Sequence, residues 1–203
     1  MGVLYWLRSN PTYLHSRAEQ AVAAEDYETA HIYLKKLLHK QPENAAAHEM
    51  LSQVILRHSQ TNGAPASYAA QPVALHHLQR AAELSPGDID LQRRLLRAYL
   101  DQRNIAKAGE VGERVYAAGE TDGDAHLALL WRAVLARNSS EVERLIAESS
   151  GLVTRHPFHE LGLAMMFYQD HHDDSESQRK WNEKAKEAVE MAQTLTSEEL
   201  TVL

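Results

Sequence analysis

The 203-residue sequence has no cysteine, only two phenylalanines and nine glycines. The missing cysteine excludes a disulfide framework, a thiolate nucleophile and a cysteine-based zinc site. Aromatic residues make up 6% of the chain, which disfavours a β-sandwich, because strands are rich in aromatic and β-branched side chains. Alanine and leucine dominate the 44% apolar content, so the composition predicts an all-α fold.

The sequence also lacks a positive net charge. Its 28 acidic residues outnumber 21 lysines and arginines, which gives a formal charge of -7. Such a chain has no general attraction for phosphate backbones or anionic lipid, so we expect neither nucleic acid nor a membrane as partner. The most apolar run, Gly2 to Leu7, is too short to cross a bilayer and lacks the features of a signal peptide. We therefore expect a cytoplasmic protein.

Catalytic motifs are missing as well. His48-Glu49 begins like a zinc-protease motif, but Ser52 stands where the second histidine is required, and His159-Glu160 fails in the same way. No nucleophile elbow, glycine-rich phosphate loop or dinucleotide fingerprint occurs. We expect no enzymatic activity and no cofactor.

The sequence has twelve histidines, and histidine is a common metal ligand. The densest group of candidate ligands is the run Asp170 to Asp174, yet metal sites usually draw ligands from positions a helix turn apart or from several elements. We interpret this run as a polar loop near a helix start and expect no metal site. We interpret His76-His77, which precedes Leu78, as part of the helix packing.

The sequence does contain a repeat of about 34 residues. Residues 11–44 show two helical patterns separated by a break at Glu25-Asp26, which predicts a helical hairpin. Apolar and proline residues recur at defined places, which here are Leu14, Ala18, Ala30, Leu34 and Pro42. This pattern resembles the tetratricopeptide repeat family.

The same pattern continues along the chain. The predicted repeats are 11–44, 45–88, 89–122, 123–156 and 157–194. The second requires an inserted exposed loop at 59–68, where we expect the first protease cleavage. In the fourth, the run from Leu130 to Leu135 repeats the run from Leu95 to Leu100 at a spacing of 35 residues. We predict an all-α, right-handed α-solenoid of about five helical hairpins over 11–203, with 1–10 as an N-terminal capping segment.

Several positions depart from the family pattern. His48 and Gly112 stand where a large apolar residue is usual. Ser140, followed three residues later by Glu143, predicts a capping box at the start of the second helix of the fourth repeat.

The resemblance implies a protein-binding function. In that family the first helix of each hairpin lines a groove that holds a partner peptide or helix. The groove-facing positions fall here on four first helices, the last of which contributes Ala128 and Leu129. The residues that we expect to contact a partner are Glu19, Glu49, Gln53, Arg93, Arg94, Arg97 and Arg132.

The arginines of this set indicate the charge of the partner. Arg97 and Arg132 occupy the same position of adjacent repeats, so we expect them to be near neighbours. Guanidinium groups suit an acidic segment or a free C-terminus. Alternatively, Asp90 and Asp101 neutralise these arginines on a solvated face. Under the first hypothesis, reversing the charge of Arg97 and Arg132 together abolishes binding and changes stability little.

A second class of function remains open. The chain is then a structural or self-associating module that forms a homo-oligomer through its end repeats, or a segment of a larger protein. Light scattering together with a pull-down separates the two hypotheses. A monomer that captures a partner supports the first hypothesis, an adaptor that binds another protein in its groove. Oligomers that are lost on mutating Trp6 or Leu7 support the module.

Overall fold

Helices account for all the regular structure in the part of the chain that the computed structural model describes, namely 10–68, 71–119, 122–148, 175–176, 178–180, 182–183 and 186. The capping segment up to residue 9, most of the predicted repeat 157–194 and the run 170–174 lie outside the described residues. In chain order the helices are α1 (Pro11–Ala23), α2 (Tyr27–Lys40), α3 (Ala45–Thr61), α4 (Pro72–Leu84), α5 (Ile89–Asp101), α6 (Ile105–Ala117), α7 (Gly123–Leu135) and α8 (Ser139–Glu148).

Seven of these eight helices are each preceded by an asparagine or aspartate that caps the helix. The side-chain oxygen accepts a hydrogen bond from a backbone N–H of the first turn, which would otherwise have no partner within the helix. The capping residues are Asn10, Asp26, Asn44, Asp88, Asn104, Asp122 and Asn138. α4 instead begins at Pro72, whose fixed φ suits the first helical position.

The predicted capping box at α8 is wrong. Asn138 caps this helix, because its Oδ1 accepts from the backbone N–H of Glu141 at 3.3 Å. Ser140 lies within the first turn and donates its hydroxyl hydrogen to the same Asn138 oxygen at 3.0 Å. The helix therefore starts earlier than the sequence motif indicates, and Ser140 supports the cap without being the cap.

Tight turns connect the helices of three hairpins. Glu25, Arg103 and Arg137 have φ of +57°, +54° and +54°, and each immediately precedes a capping residue. A non-glycine residue with left-handed backbone costs on the order of 1 kcal/mol, so the helix packing on either side must maintain these turns.

The connection from α3 to α4 is longer, and the prediction of an exposed loop at 59–68 is partly wrong. α3 continues to Thr61 because no residue before Asn62 breaks it, and the hydroxyl of Ser59 bonds to the Ile55 carbonyl at 2.9 Å. At the far end, the hydroxyl of Tyr68 lies 3.3 Å from that of buried Ser52, which ties the segment to α3.

The chain divides into two compact units, Met1–Ala98 and Tyr99–Leu203, with the boundary inside α5. In unit 1, α2 packs against both α1 and α3, and α3 packs against α4. Its core confirms the apolar positions predicted from the repeat, since Leu14, Ala18, Ala30 and Leu34 are buried together with Leu51. Ser52 donates to the Ala74 carbonyl at 2.8 Å, which adds a polar contact between α3 and α4.

In unit 2, α7 packs against α6 and α8. α7 is apolar around most of its circumference, so most of its side chains are buried, as expected for a helix packed on two sides. Leu129, Leu130 and Val134 of α7 contact Val142 and Leu145 of α8 in one core cluster. None of the helices in the described part of the chain combines the length and the apolarity needed to cross a membrane.

Candidate functional site

The predicted partner-binding residues of unit 1 lie on α1, α3 and α5. We call Glu19, Glu49, Gln53, Arg93, Arg94 and Arg97 the first-helix surface. On α1, the Nε2 of His15 lies 3.3 Å from a carboxylate oxygen of Glu19, one helical turn away. More than half of the Glu19 side chain is exposed, so this residue contributes little to the core.

Arg94 connects two helices of this surface. Its Nη2 donates to Oε1 of Glu49 at 2.6 Å, although the residues are 45 positions apart in sequence. The same Glu49 oxygen accepts a hydrogen bond from Nε2 of Gln53 at 3.2 Å. The three side chains therefore form one network across α3 and α5, and all remain at least partly exposed.

The other two arginines of the first-helix surface, Arg93 and Arg97, also lie on α5. Nη1 of Arg93 donates to Oδ1 of Asp90 at 3.2 Å, which confirms that Asp90 offsets part of the positive charge on α5. Arg97 is exposed on the same helix. The surface thus has mixed charge, with carboxylates on α1 and α3 and arginines on α5.

A recess of about 250 Å³ adjoins the first-helix surface between the end of α1, the start of α2 and the middle of α3. Val22 and Val54 contribute apolar parts of its wall, and Glu25 and Arg57 contribute charged parts. Gln53 belongs to both the recess and the first-helix surface. This recess was not predictable from the sequence, because its walls come from three helices.

In unit 2, Arg132 lies against α6. Its aliphatic stem passes over Gly109, since a Cβ added to that glycine would be 2.6 Å from the Arg132 Cδ, and its Nη2 donates to a carboxylate oxygen of Glu113. The structure also corrects the predicted groove positions Ala128 and Leu129, which are buried. The repeat pattern assumes an exposed face on every first helix, whereas α7 has none at these positions.

Arg97 and Arg132 belong to different units. Their predicted proximity therefore stays a prediction.

Two histidines whose pairing was not predicted from the sequence form a hydrogen bond. Nδ1 of His48 on α3 and Nδ1 of His77 on α4 are 2.9 Å apart, and their ring centroids are 5.1 Å apart. Burial, followed by nearby positive charges, lowers the pKa of His77 to about 4. The sequence signal was the unusual His48 at a core position, but nothing in the sequence pointed to its partner 29 residues away.

Within the described ranges, no group of three or more histidine and acidic side chains is arranged to hold a metal ion. The facing Nδ1 atoms of His48 and His77 form a hydrogen-bonded contact between α3 and α4. The predicted run at 170–174 is outside these ranges.

The sequence matches no protein-family model and no curated protein. Among solved structures, the chain is similar to "MamA 41-end from Desulfovibrio magneticus RS-1", with 13% identity, coverage of 92% of this chain and 97% of that chain, and a TM-score of 0.53. "Crystal structure of MamA protein" has 14% identity, 94% and 97% coverage and a TM-score of 0.51.

A third structure, "MamA MSR-1 C2", has 16% identity, coverage of 91% of this chain and 98% of that chain, and a TM-score of 0.50. At such identities the likeness concerns the fold alone. Together with the capped helices, it shows that the chain has the predicted fold class, an all-α solenoid of helical hairpins that resembles the tetratricopeptide type.

Proposed function

We propose that this protein is a non-catalytic interaction scaffold that holds a partner peptide or helix on the first-helix surface of unit 1. The observation that carries the proposal is the 2.6 Å contact between Arg94 and Glu49. It places polar positions of successive first helices side by side on one face. Side chains that are outside the core and share a face are available for binding a partner.

The chemistry of the surface favours a partner segment that carries both an acidic and an apolar residue. A guanidinium has five N–H donors, and Arg94 directs one of them to Glu49 within the described part of the chain. An acidic side chain or a free C-terminus of the partner can therefore bind Arg94 while the contact with Glu49 remains. The neighbouring recess, lined by Val22 and Val54, accommodates an apolar side chain of the same segment.

The proposal predicts that Arg94→Ala weakens partner capture. Loss of a charge-assisted contact at the centre of an interface costs about 1.4 kcal/mol or more, which corresponds to about a tenfold loss of affinity. The test is a pull-down from a lysate of the source cells, with captured proteins identified by mass spectrometry. The proteins held by the wild type are expected to be depleted from the Arg94→Ala sample.

Arg80→Ala is the matched control. Arg80 lies on α4, a second helix, and makes a comparable exposed ion pair with Glu83 at 3.1 Å. This variant loses the same charge and one ion pair, yet it should capture the same proteins as the wild type. Identical captured proteins for all three forms would contradict the proposed site. A concentration-dependent oligomer with no other captured protein would support the self-associating module instead.

A further inference from the structure

The histidine pair, His48 and His77, has one arrangement of hydrogens when both rings are neutral. Nε2 of His48 lies 3.0 Å from the carbonyl oxygen of Pro42, which only accepts, so Nε2 carries the hydrogen. A neutral His48 then has its lone pair on Nδ1. Because this atom faces Nδ1 of His77 at 2.9 Å, the His77 Nδ1–H donates to it. The two bonds join α4, through α3, to the turn between α2 and α3.

Protonation affects the two rings differently. The nitrogen of the pair that is engaged in neither bond is Nε2 of His77, so a first proton is added there and leaves both hydrogen bonds in place. It creates a cation on a half-buried ring. A second proton can be added only at Nδ1 of His48, where it would point one N–H donor at another across 2.9 Å. The doubly protonated pair must therefore separate.

The surroundings of His77 oppose even the first proton. The titratable and charged groups that act on it are His31 and Lys35 from α2, His48 from α3 and His76 from α4. All of them are positive when charged, and no carboxylate is among them. Glu83 acts on His76 and does not offset the charge at His77.

We propose that the histidine pair is an acid-sensitive contact that holds α4 against α3 and the α2–α3 turn at neutral pH and releases them on acidification. The hydrogen bonds exclude the doubly protonated pair, and burial together with the positive neighbours opposes the first proton on His77. The device is local to unit 1, since every group in it lies between residues 31 and 77.

The pH window follows from the direction of the pKa shift. Burial and positive neighbours lower the pKa of His77 to about 4, whereas a histidine in the unfolded chain titrates near about 6.5. Between these values the open form binds more protons than the closed form, so acidification favours opening. The stabilising contribution is complete above about pH 6.5 and is lost as the pH falls towards about 4.

A consequence for binding rests on the proposed function. α3 carries Glu49 and Gln53 as well as His48, so opening of α3 and α4 disturbs the first-helix surface. Partner capture should then weaken below about pH 5. The acid-sensitive contact itself is tested on the protein alone, so its failure is distinguishable from failure of the proposed partner site.

The test compares wild type with His77→Asn by amide hydrogen exchange at pH 7 and pH 5. The asparagine Nδ2–H can replace the His77 Nδ1–H as donor to His48 but does not titrate. After correction for intrinsic exchange rates, protection of α4 amides in the wild type should fall on the order of tenfold more than in His77→Asn. His39→Asn, at an exposed histidine of α2, is the control and should behave like the wild type.

A second measurement covers the case in which His77→Asn does not fold. Nitrogen NMR of the wild type at pH 7 should show hydrogen on Nε2 of His48 and on Nδ1 of His77, and the His77 ring should remain neutral at pH 5.5. Equal acid sensitivity of wild type and His77→Asn would overturn the proposal. A different pair of tautomers, or a charged His77 ring at pH 5.5, would overturn it as well.

Discussion

Two glycines of α6 face α7 at different distances from its backbone. A Cβ added to Gly112 would lie 3.2 Å from the carbonyl oxygen of Ala125 and 3.4 Å from the Cβ of Ala128. A Cβ added to Gly109 would instead meet the side chain of Arg132. At Gly112 the helix backbones would have to move, whereas at Gly109 a partly exposed, flexible side chain can move aside.

We predict that Gly112→Ala destabilises the protein by about 1 kcal/mol. Alanine gains up to about 1 kcal/mol of helix propensity, but separating two packed helices costs roughly 1–3 kcal/mol. Gly109→Ala should be near neutral, because a similar propensity gain offsets the loss of a surface ion pair. Urea unfolding of both variants measures the difference. A Gly112→Ala protein more stable than the wild type would show that α6 and α7 are not held at this spacing.

At the scale of the helix, the repeat is visible in the spacing of the capping residues. Asn10 and Asn44 are 34 residues apart, and so are Asn104 and Asn138. Each cap fixes where a helix begins, and packing against the preceding helix then fixes its direction. The period of 34 residues is therefore a period of helix starts.

Removing a cap should show which residue begins α8. We predict that Asn138→Ala costs about 1 kcal/mol, because the backbone N–H of Glu141 loses its acceptor. Ser140→Ala should cost less, since Ser140 only donates to the Asn138 side chain. Thermal unfolding followed by circular dichroism compares the two. A larger loss for Ser140→Ala would restore the capping box as the start of this helix.

The positions of the helices and of the unit 1 core were predictable from sequence because they depend on local spacing. Leu14 and Ala18 recur at helical intervals, and burial of such a face is the main source of helix stability in proteins. The end of α3 was not predictable, because residues 59–61 are compatible with either helix or loop until their packing is known. The partners of His48 and Arg132 were not predictable either, since each lies on another helix.

At the scale of the whole molecule, the two units differ in the surface that they offer. The first helices of unit 1 leave Glu19, Gln53 and Arg97 exposed. In unit 2, α7 buries Ala128 and Leu129, and Arg132 lies against α6. We therefore propose that the partner binds to unit 1, although the repeat pattern alone predicts contacts from four hairpins.

This assignment predicts that Arg132→Glu leaves partner capture unchanged. The new carboxylate would lie near Glu113, so a like-charge contact would replace a surface ion pair. The loss of stability should be less than about 1 kcal/mol, and the melting temperature should fall slightly. Arg94→Glu, measured beside it, should abolish capture, because it places repulsion at Glu49 and removes the donor offered to a partner carboxylate. Equal loss of capture in both variants would mean that one site draws on both units, and that Arg97 and Arg132 act together as the repeat pattern predicts.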